Sequence, residues 1–307
     1  MKKEEQPLNE LKVTQETELL AFLLDKKVKK SRNAVKSLLA HKQIIVNKQV
    51  VSQYNFLLKP GDAVIVQRTD HAHDKKLLKG LKIVFEDDYL VVIDKEEGLL
   101  SIATEREKRE TAYSIVSSYI KKVDPEARIF VLHRLDRETS GLMMFAKNEK
   151  IQEIMQKKWD ELITERTYQA VVEGQVDPKD GTITSWLTEN KNFKMFSSPK
   201  DNGGQKSITH YKTLATNRRY SLLSLKLDTG RKNQIRVQLE SLGHPIVGDK
   251  KYGSSQNPLR RMALHAYELS FIHPITSLHF EFKSLIPSKM KMLLEKPSTT
   301  EAKTKTE

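Results

Sequence analysis

The sequence predicts an α+β protein with two domains. Its 307 residues suit two domains, since roughly 100–200 residues is the usual size of one. Strand-like apolar runs are interspersed with stretches whose apolar residues recur at helical spacing. A polar segment at 69–80 separates a short set of these elements from a longer one. We therefore expect a small α+β domain followed by a larger domain that carries the main sheet.

Composition narrows the classes of function. The chain has 53 Lys plus Arg against 40 Asp plus Glu, a net charge of +13, which favours a polyanionic partner, although a solvated lysine-rich surface gives the same count. It has no cysteine, which excludes disulfides, thiolate zinc sites and cysteine nucleophiles. No apolar run approaches the ~18 residues of a membrane span, and MKKEEQPLNE lacks the apolar segment of a signal peptide. We expect a cytoplasmic monomer.

Positive charge is concentrated in the first domain, residues 16–68. Apolar residues at helical spacing flank this charge, and the segment IIVNKQVV at 44–51 predicts two strands joined by a turn at Asn47. A short strand follows at 63–66. The domain is expected to present a basic helix to an anionic partner; a merely solvated helix is the alternative. From Asp25 to Lys48 one carboxylate, Asp25, is opposed by eight cationic residues: Lys26, Lys27, Lys29, Lys30, Arg32, Lys36, Lys42 and Lys48.

Three segments are expected to lie outside the folded domains. Residues 69–80, TDHAHDKKLLKG, are polar and aperiodic, which predicts a linker. Their two histidines have no thiolate beside them, so a solvated segment is favoured over a metal site. Residues 1–15 are expected to be flexible, and 294–307 to form a disordered tail of low apolar content.

The second domain, residues 81–293, is predicted to contain both strands and helices. Apolar runs predict strands at 89–93, 142–146, 168–172 and 220–227. Helices are expected at 111–123 and 149–163. The second of these has one apolar face, formed by Ile151, Ile154, Met155, Trp159 and Leu162.

The segment densest in reactive side chains is VLHRLDRETSGLMMFAK, residues 131–147. Asp136 stands just before a turn at 139–141 and an apolar strand, and a rigid strand can aim a carboxylate on such a turn into a cleft. His133, Arg134 and Arg137 bring positive charge beside it. A turn in which Asp136 only caps the loop has the same local composition. The residues alone therefore indicate a site without identifying its chemistry.

The string HRLDRETSG resembles the signature of the RluA-type pseudouridine synthases, in which H-R-L-D-x-x-T-S-G precedes a strand. Further matches follow in the family's order: EDDYLVVIDK at 86–95 with GL at 98–99, RTYQA at 166–170, LDTGR with QIR between 227 and 236, GHPI at 243–246 with GD at 248–249, and LHA at 264–266. The helix start KSRN at 30–33 and the hairpin at 46–51 resemble an S4-like RNA-binding domain. Together these resemblances cover most of the chain.

The resemblance implies both a fold and a reaction. Residues 81–293 would form a mainly antiparallel mixed β-sheet with flanking helices. The activity would be isomerisation of selected uridines in structured RNA to pseudouridine, with no metal and no cofactor. Large-subunit ribosomal RNA is favoured as the partner, because the appended S4-like domain is typical of members that act there. Transfer RNA is one alternative, and a non-catalytic RNA-binding or ribosome-assembly factor is another.

The resemblance also implies roles for three residues. Asp136 takes the place of the catalytic aspartate, acting either as a nucleophile or through a glycal route. Tyr168 corresponds to the active-site tyrosine, whose ring stacks on uracil and whose hydroxyl is placed for proton transfer at carbon 5. Arg231 corresponds to the arginine that pairs with the aspartate through a bidentate fork.

Other residues are expected to contact the RNA. The target base must leave its stack, and Arg134 is the candidate for filling the vacated space, a phosphate clamp being the alternative. His133 and Ile235 are expected at the substrate pocket. The basic helix would contribute Lys29, Lys30, Arg32 and Lys36.

Three departures from the family pattern affect the expected shape of the substrate loop. The usual Lys-Pro-x-Gly segment is KEEG here, at 95–98, without proline. Asn233 and Gln238 stand where histidines are frequent. None of these changes touches Asp136, Tyr168 or Arg231, so the departures concern the choice of RNA and not the reaction.

Overall fold

The computed structural model describes residues 10–28, 32–40, 44–47, 49–66, 77–104, 110–122 and 124–295. The chain forms two compact units, residues 1–74 and 75–307. No helix in the described part of either unit is long and apolar enough to cross a membrane.

The first unit is a small α+β fold. Its helices are α1 (Leu19–Asp25) and α2 (Arg32–Ala40), and its strands are β1 (Glu10–Lys12), β2 (Thr17–Glu18), β3 (Ile44–Val46), β4 (Gln49–Val50), β5 (Leu57–Leu58) and β6 (Ala63–Val66). Four strands form a sheet in the order β1-β6-β3-β4, and β2 pairs with β5. Six side chains of its core are fully buried: Leu19, Leu23, Val35, Ile44, Leu58 and Val64.

The predicted turn at Asn47 is confirmed and is tied to the strand beside it. Asn47 has a φ of 47°, in the left-handed region that asparagine tolerates better than most residues. Its side-chain amide donates to Asp62 (2.7 Å) and its carbonyl oxygen accepts from the backbone N–H of Ala63 (2.9 Å).

The amino-terminal boundary of the first unit needs correction. We expected residues 1–15 to be flexible, but Glu10–Lys12 pair antiparallel with Ala63–Ile65. A strand of three residues is too short to show a period in the sequence, and its order comes from the neighbouring strand.

The second unit is built on one twelve-stranded sheet among the described residues. Its helices are α3 (Ala112–Lys121), α4 (Glu149–Lys157), α5 (Trp159–Leu162), α6 (Gln234–Ser241) and α7 (Ser288–Met292). Its strands are β7 (Leu77–Leu78), β8 (Leu81–Glu86), β9 (Leu90–Lys95), β10 (Phe130–Val131), β11 (Ser140–Ala146), β12 (Ile163–Glu173), β13 (Asp180–Glu189), β14 (Met195–Ser198), β15 (Gln205–Thr216), β16 (Tyr220–Leu227), β17 (Leu264–Ile272) and β18 (His279–Lys283).

The sheet is mixed and mainly antiparallel, which confirms the predicted fold class. Its main path runs β14-β13-β15-β16-β12-β17-β11-β9-β8-β7, with β10 pairing β11 and β18 pairing β17. The β11–β17 pair is parallel and the other pairs of this sheet are antiparallel. Apolar side chains of β9, β11 and β17 are buried with α3 in one cluster and with α4 in another.

A close approach of three strands lies at the start of β11. Gly141 and Tyr168 are both register partners of Ala266. Gly141 has a φ of 111°, and a Cβ there would lie 2.2 Å from the carbonyl oxygen of Ala266. Only glycine fits such a contact, which explains the glycine of the Thr-Ser-Gly turn.

Three further boundaries differ from the sequence predictions. Leu77–Leu78, assigned to the linker 69–80, form β7 and pair with β8; residues 69–76 lie outside the described residues. The helix expected at 149–163 is interrupted at Lys158, whose φ of −113° and ψ of 29° are not helical. Leu294 packs against a core cluster, so the predicted tail begins later, and 296–307 lie outside the described residues.

Candidate active site

The loop that carries Asp136 connects β10 to β11 and is fixed from both sides. Ser101 Oγ donates to the carbonyl of Leu135 (2.6 Å) and accepts from its N–H (3.1 Å). The N–H of Gly98 donates to the carbonyl of Arg137 (2.8 Å). The segment after β9 therefore holds the loop by hydrogen bonds from Gly98 and Ser101. It does so without the proline that is common in the family at 95–98.

Lys95 supports the same loop from beneath. Lys95 is only 1% exposed. Its Nζ donates to three backbone carbonyls, those of Glu96 (2.9 Å), Leu99 (2.8 Å) and Arg137 (3.3 Å). Burial lowers the pKa of Lys95 to about 8, against the opposing effect of nearby carboxylates including Glu138 and Asp136. This buried donor therefore ties the segment after β9, at Glu96 and Leu99, to the loop at Arg137, the residue that follows Asp136.

His133 connects the loop to the sheet. Its Nε2 accepts from the backbone N–H of Met144 (3.1 Å), so the imidazole is neutral with its proton on Nδ1. Burial, with the charge of Arg166, lowers the pKa of His133 to about 3. The expectation that His133 brings positive charge to Asp136 is therefore wrong, because tertiary packing removes that charge. The structure places the ring against β11 and Trp159.

Arg236 is the arginine that contacts Asp136. Its Nη1 donates to Asp136 Oδ2 (2.9 Å). Its Nε and Nη2 donate to the two oxygens of the buried Asp249 carboxylate, at 2.6 and 2.9 Å. Burial alone lowers the pKa of Arg236, but hydrogen bonds and charge from Asp249, together with Asp136, raise it above its ordinary value. The bidentate pair with Asp249 orients the guanidinium, so that its remaining edge faces Asp136.

The assignment of Arg231 to this role is corrected. Arg231 is exposed, and its backbone N–H donates to Gln234 Oε1 (3.0 Å) at the start of α6. Arg231 precedes the helix, whereas Arg236 is the third residue of α6 and is buried. Ile235, predicted at the substrate pocket, is 5% exposed within the core cluster against which Tyr168 packs.

Tyr168 lies on β12 beside the Asp136 loop. Its ring packs against two core clusters, one containing Ile235 and the other Leu135. Burial raises the pKa of Tyr168, the charge of Arg166 lowers it, and the charge of Asp136 raises it. The net direction is upward, so the phenol keeps its proton at neutral pH. The structure therefore brings together Asp136, Tyr168 and Arg236.

The two residues that depart from the family's histidines both have satisfied side chains. Asn233 has a φ of 54°; its amide donates to Tyr252 Oη (2.9 Å) and its oxygen accepts from Arg236 Nη1 (3.4 Å). Gln238 is fully buried, accepts from Thr209 Oγ1 (2.6 Å) and donates to Ser185 Oγ (3.0 Å). These contacts anchor α6 and thereby Arg236.

Known proteins match this chain over both units. The family model for RNA pseudouridylate synthase matches residues 89–241, and the S4 domain model matches residues 19–64. An uncharacterized RNA pseudouridine synthase of Bacillus subtilis, YhcT, is 33% identical over 91% of this chain and 93% of its own length. The chain belongs to the RNA pseudouridylate synthase family.

Other relatives of this pseudouridine synthase carry more specific names. Ribosomal large subunit pseudouridine synthase D of Neisseria meningitidis is 32% identical, with 70% of this chain and 60% of that protein covered. The human RNA Pseudouridylate Synthase Domain Containing 4 superposes with a TM-score of 0.57 at 22% identity, over 70% of this chain and 94% of that one. The structural likeness shows the shared fold.

The residues predicted to contact RNA are only partly described by the structure. Arg134 is exposed beside Asp136, and Arg32 and Lys36 are exposed on α2 of the S4 domain. Lys29 and Lys30 lie outside the described residues. In the described part of the synthase, no three histidine or carboxylate side chains are grouped closely enough to hold a metal ion.

Sequence reasoning missed two residues of the site. Arg236 lies between Ile235 and Val237, and a solvated arginine would be out of place between two apolar residues of a helix. Lys95 ends the apolar run of β9 and is likewise buried. In both cases a charged residue beside apolar residues of a helix or strand was the available signal.

The neutral state of His133 predicts a specific acid sensitivity. Because its folded pKa lies below the ordinary 6.5, the unfolded chain binds the proton first, and the stability due to neutral His133 is lost as pH falls from 6.5 towards 3. His133→Gln retains an acceptor for Met144 but does not titrate. Between pH 7 and 5, the parent should lose roughly 2 kcal/mol more unfolding free energy than the variant, measured by urea denaturation. Equal losses would contradict this prediction.

Proposed function

We propose that this synthase converts selected uridines of large-subunit ribosomal RNA to pseudouridine, with Asp136 as the group that acts on the glycosidic bond. The observation that carries the proposal is the contact of Asp136 with Arg236, which is itself fixed by Asp249, beside the partly buried ring of Tyr168. The named relatives that act on the large ribosomal subunit support this choice of RNA.

The geometry suits an isomerisation. The N1–C1′ bond of uridine breaks, the uracil turns, a C5–C1′ bond forms, and the proton on carbon 5 is lost while N1 gains one. Asp136 would act on the ribose as a nucleophile, or take a proton in a glycal route. Arg236 would hold the carboxylate of Asp136 in position through Nη1, while its bidentate contact with Asp249 keeps the guanidinium oriented. The ring of Tyr168 would lie over the base, and its hydroxyl oxygen would accept the carbon 5 proton as it passes its own proton to water.

The target uridine must leave its stack before it reaches Asp136, at a cost of roughly a few kcal/mol. The exposed guanidinium of Arg134, two residues before Asp136, would occupy the vacated space, since its plane can stack and donate hydrogen bonds there. The S4 domain would bind the RNA backbone through its basic helix.

The deciding experiment follows tritium. Ribosomal RNA is transcribed with uridine tritiated at carbon 5, and the purified protein is added without any cofactor. We expect tritium to be released to water and pseudouridine to appear at the same positions. Release from transfer RNA alone would overturn the ribosomal substrate, and no release from either RNA would overturn the proposed activity.

Whether α2 contacts RNA phosphates can be tested by the salt dependence of RNA affinity. Each phosphate contact that is lost should reduce the slope of log affinity against log salt by about 0.7–0.9, so Arg32→Ala with Lys36→Ala should reduce it by about 1.4–1.8. Lys59→Ala is the control, an exposed lysine in a turn of the same domain, and should leave the slope unchanged. Replacement of Lys29, Lys30 and Arg32 together should reduce the slope by about two or three units. An unchanged slope in both multiple variants would show that the helix is only solvated.

A further inference from the structure

The hairpin that joins β13 to β14 ends in a constrained turn. Asn190 Oδ1 accepts from the N–H groups of Asn192 (3.0 Å) and Lys194 (2.9 Å), and the N–H of Phe193 donates to the carbonyl of Asn190 (3.0 Å). Lys251 Nζ donates to the carbonyl of Phe193 (3.0 Å) from outside the hairpin. With the N–H of Asn190, which donates to the carbonyl of Lys194 (3.0 Å), five hydrogen bonds hold the backbone at this tip.

Phe193 is exposed at this tip in an unfavourable backbone conformation. Its φ of 58° lies in the left-handed region, which has an energetic cost for a bulky residue. Its side chain is nevertheless 70% exposed, so apolar burial does not offset that cost. Strain of this kind is retained mainly where a side chain has a function.

The surroundings of Phe193 are positively charged. Lys232 Nζ lies over its ring, 5.6 Å from the centroid. Lys251, which contacts the carbonyl of Phe193, is exposed. Lys191, two residues before Phe193, and Arg231, next to Lys232 in the chain, are exposed as well. The two nearby carboxylates, Glu189 and Glu240, pair with Lys232 and Lys194. An exposed aromatic ring within surplus positive charge suits a nucleobase on a phosphate backbone.

The tip is connected to the active site through one buried residue. Tyr252 is fully buried, and its hydroxyl accepts from the N–H of Met195 (3.2 Å) at the start of β14 and from Asn233 Nδ2 (2.9 Å). The guanidinium of Arg236 lies over its ring, 5.0 Å from the centroid. The hairpin and the arginine that contacts Asp136 are thus fixed to the same side chain.

We propose that Phe193 is a stacking platform for an RNA base next to the target uridine, with Lys232, Lys251 and Arg231 contacting the neighbouring phosphates. This inference rests on the proposed RNA substrate and adds a specific contact to it. Base–aromatic stacking requires no particular base, so the platform would position the strand and would not select its sequence.

The experiment measures binding of a fragment of large-subunit ribosomal RNA that contains a modified uridine, separately from turnover. Phe193→Ala should weaken affinity about 5- to 150-fold at fixed salt, with an unchanged salt slope, because phenylalanine neutralises no phosphate. Lys232→Ala should instead reduce that slope. The matched control is Phe196→Ala, another exposed aromatic of the same hairpin at 47% exposure, which should bind as the parent does.

A second readout tests stacking directly. Phe193→Trp should retain the parent's affinity, and its added indole emission should be quenched when the RNA fragment binds. Parent-like affinity of Phe193→Ala, or emission of the tryptophan variant that RNA leaves unchanged, would overturn the platform. If the parent releases no tritium but the Phe193→Ala effect persists, the proposed activity fails while the platform stands.

Discussion

Asp136→Asn should abolish tritium release while leaving RNA binding within about twofold of the parent. The amide has nearly the shape of the carboxylate but is a poor nucleophile and a poor base, so we expect turnover to fall by at least about 10³-fold. Arg236 stays fixed by Asp249 in this variant. The site should therefore keep its structure, and the loss should appear in kcat.

The matched control for Asp136→Asn is Glu138→Gln, which removes one negative charge from the same loop. Glu138 is exposed and lies two residues from Asp136. Turnover of this control should remain within about threefold of the parent. Turnover by a rigorously purified Asp136→Asn protein at a rate near the parent's would refute the assignment of Asp136.

Arg236→Lys should lower kcat by about 10²-fold or more, the usual effect of removing one positioned donor from a reaction site. A lysine retains the charge but loses the planar fork, and it cannot contact Asp249 and Asp136 in the same geometry. Because Asp249 is buried, the variant should also be less stable, and its melting temperature must be measured beside kcat. Assays well below that temperature separate the two effects.

Arg231→Lys is the control that distinguishes the two arginines of the segment 231–236. Since Arg231 is exposed, this change should alter kcat by less than about threefold. Any effect should appear in RNA affinity, in keeping with a phosphate contact. A larger loss of kcat in Arg231→Lys than in Arg236→Lys would show that Arg231 acts at the site.

The sequence was sufficient for the fold class and for placing Asp136 on the loop before a strand, because both depend on local strings. The strands at 89–93 and 220–227 were visible as apolar runs, and the signature around Asp136 is contiguous. The local sequence did not show which arginine contacts Asp136. Two arginines stand five residues apart, and the choice depends on where α6 begins and on Asp249, thirteen residues beyond Arg236.

His133 shows a different reason for a wrong prediction. Its neighbours in sequence suggested a cation, while its neighbours in space, Met144 and Trp159, remove the charge. Short strands such as β1 and β7 were missed because they owe their order to a partner strand and carry no periodic pattern of their own.

The parallel pairing of β11 with β17 has a consequence for how the protein folds during synthesis. It joins Ser140 to His265, 125 residues later, and long-range contacts of this kind slow folding because a large loop must close first. During synthesis on the ribosome, β11 cannot pair with β17 until more than a third of the polypeptide has been made after it. The amino-terminal unit, complete by residue 74, folds within its own sequence and so gains its structure well before the catalytic unit does.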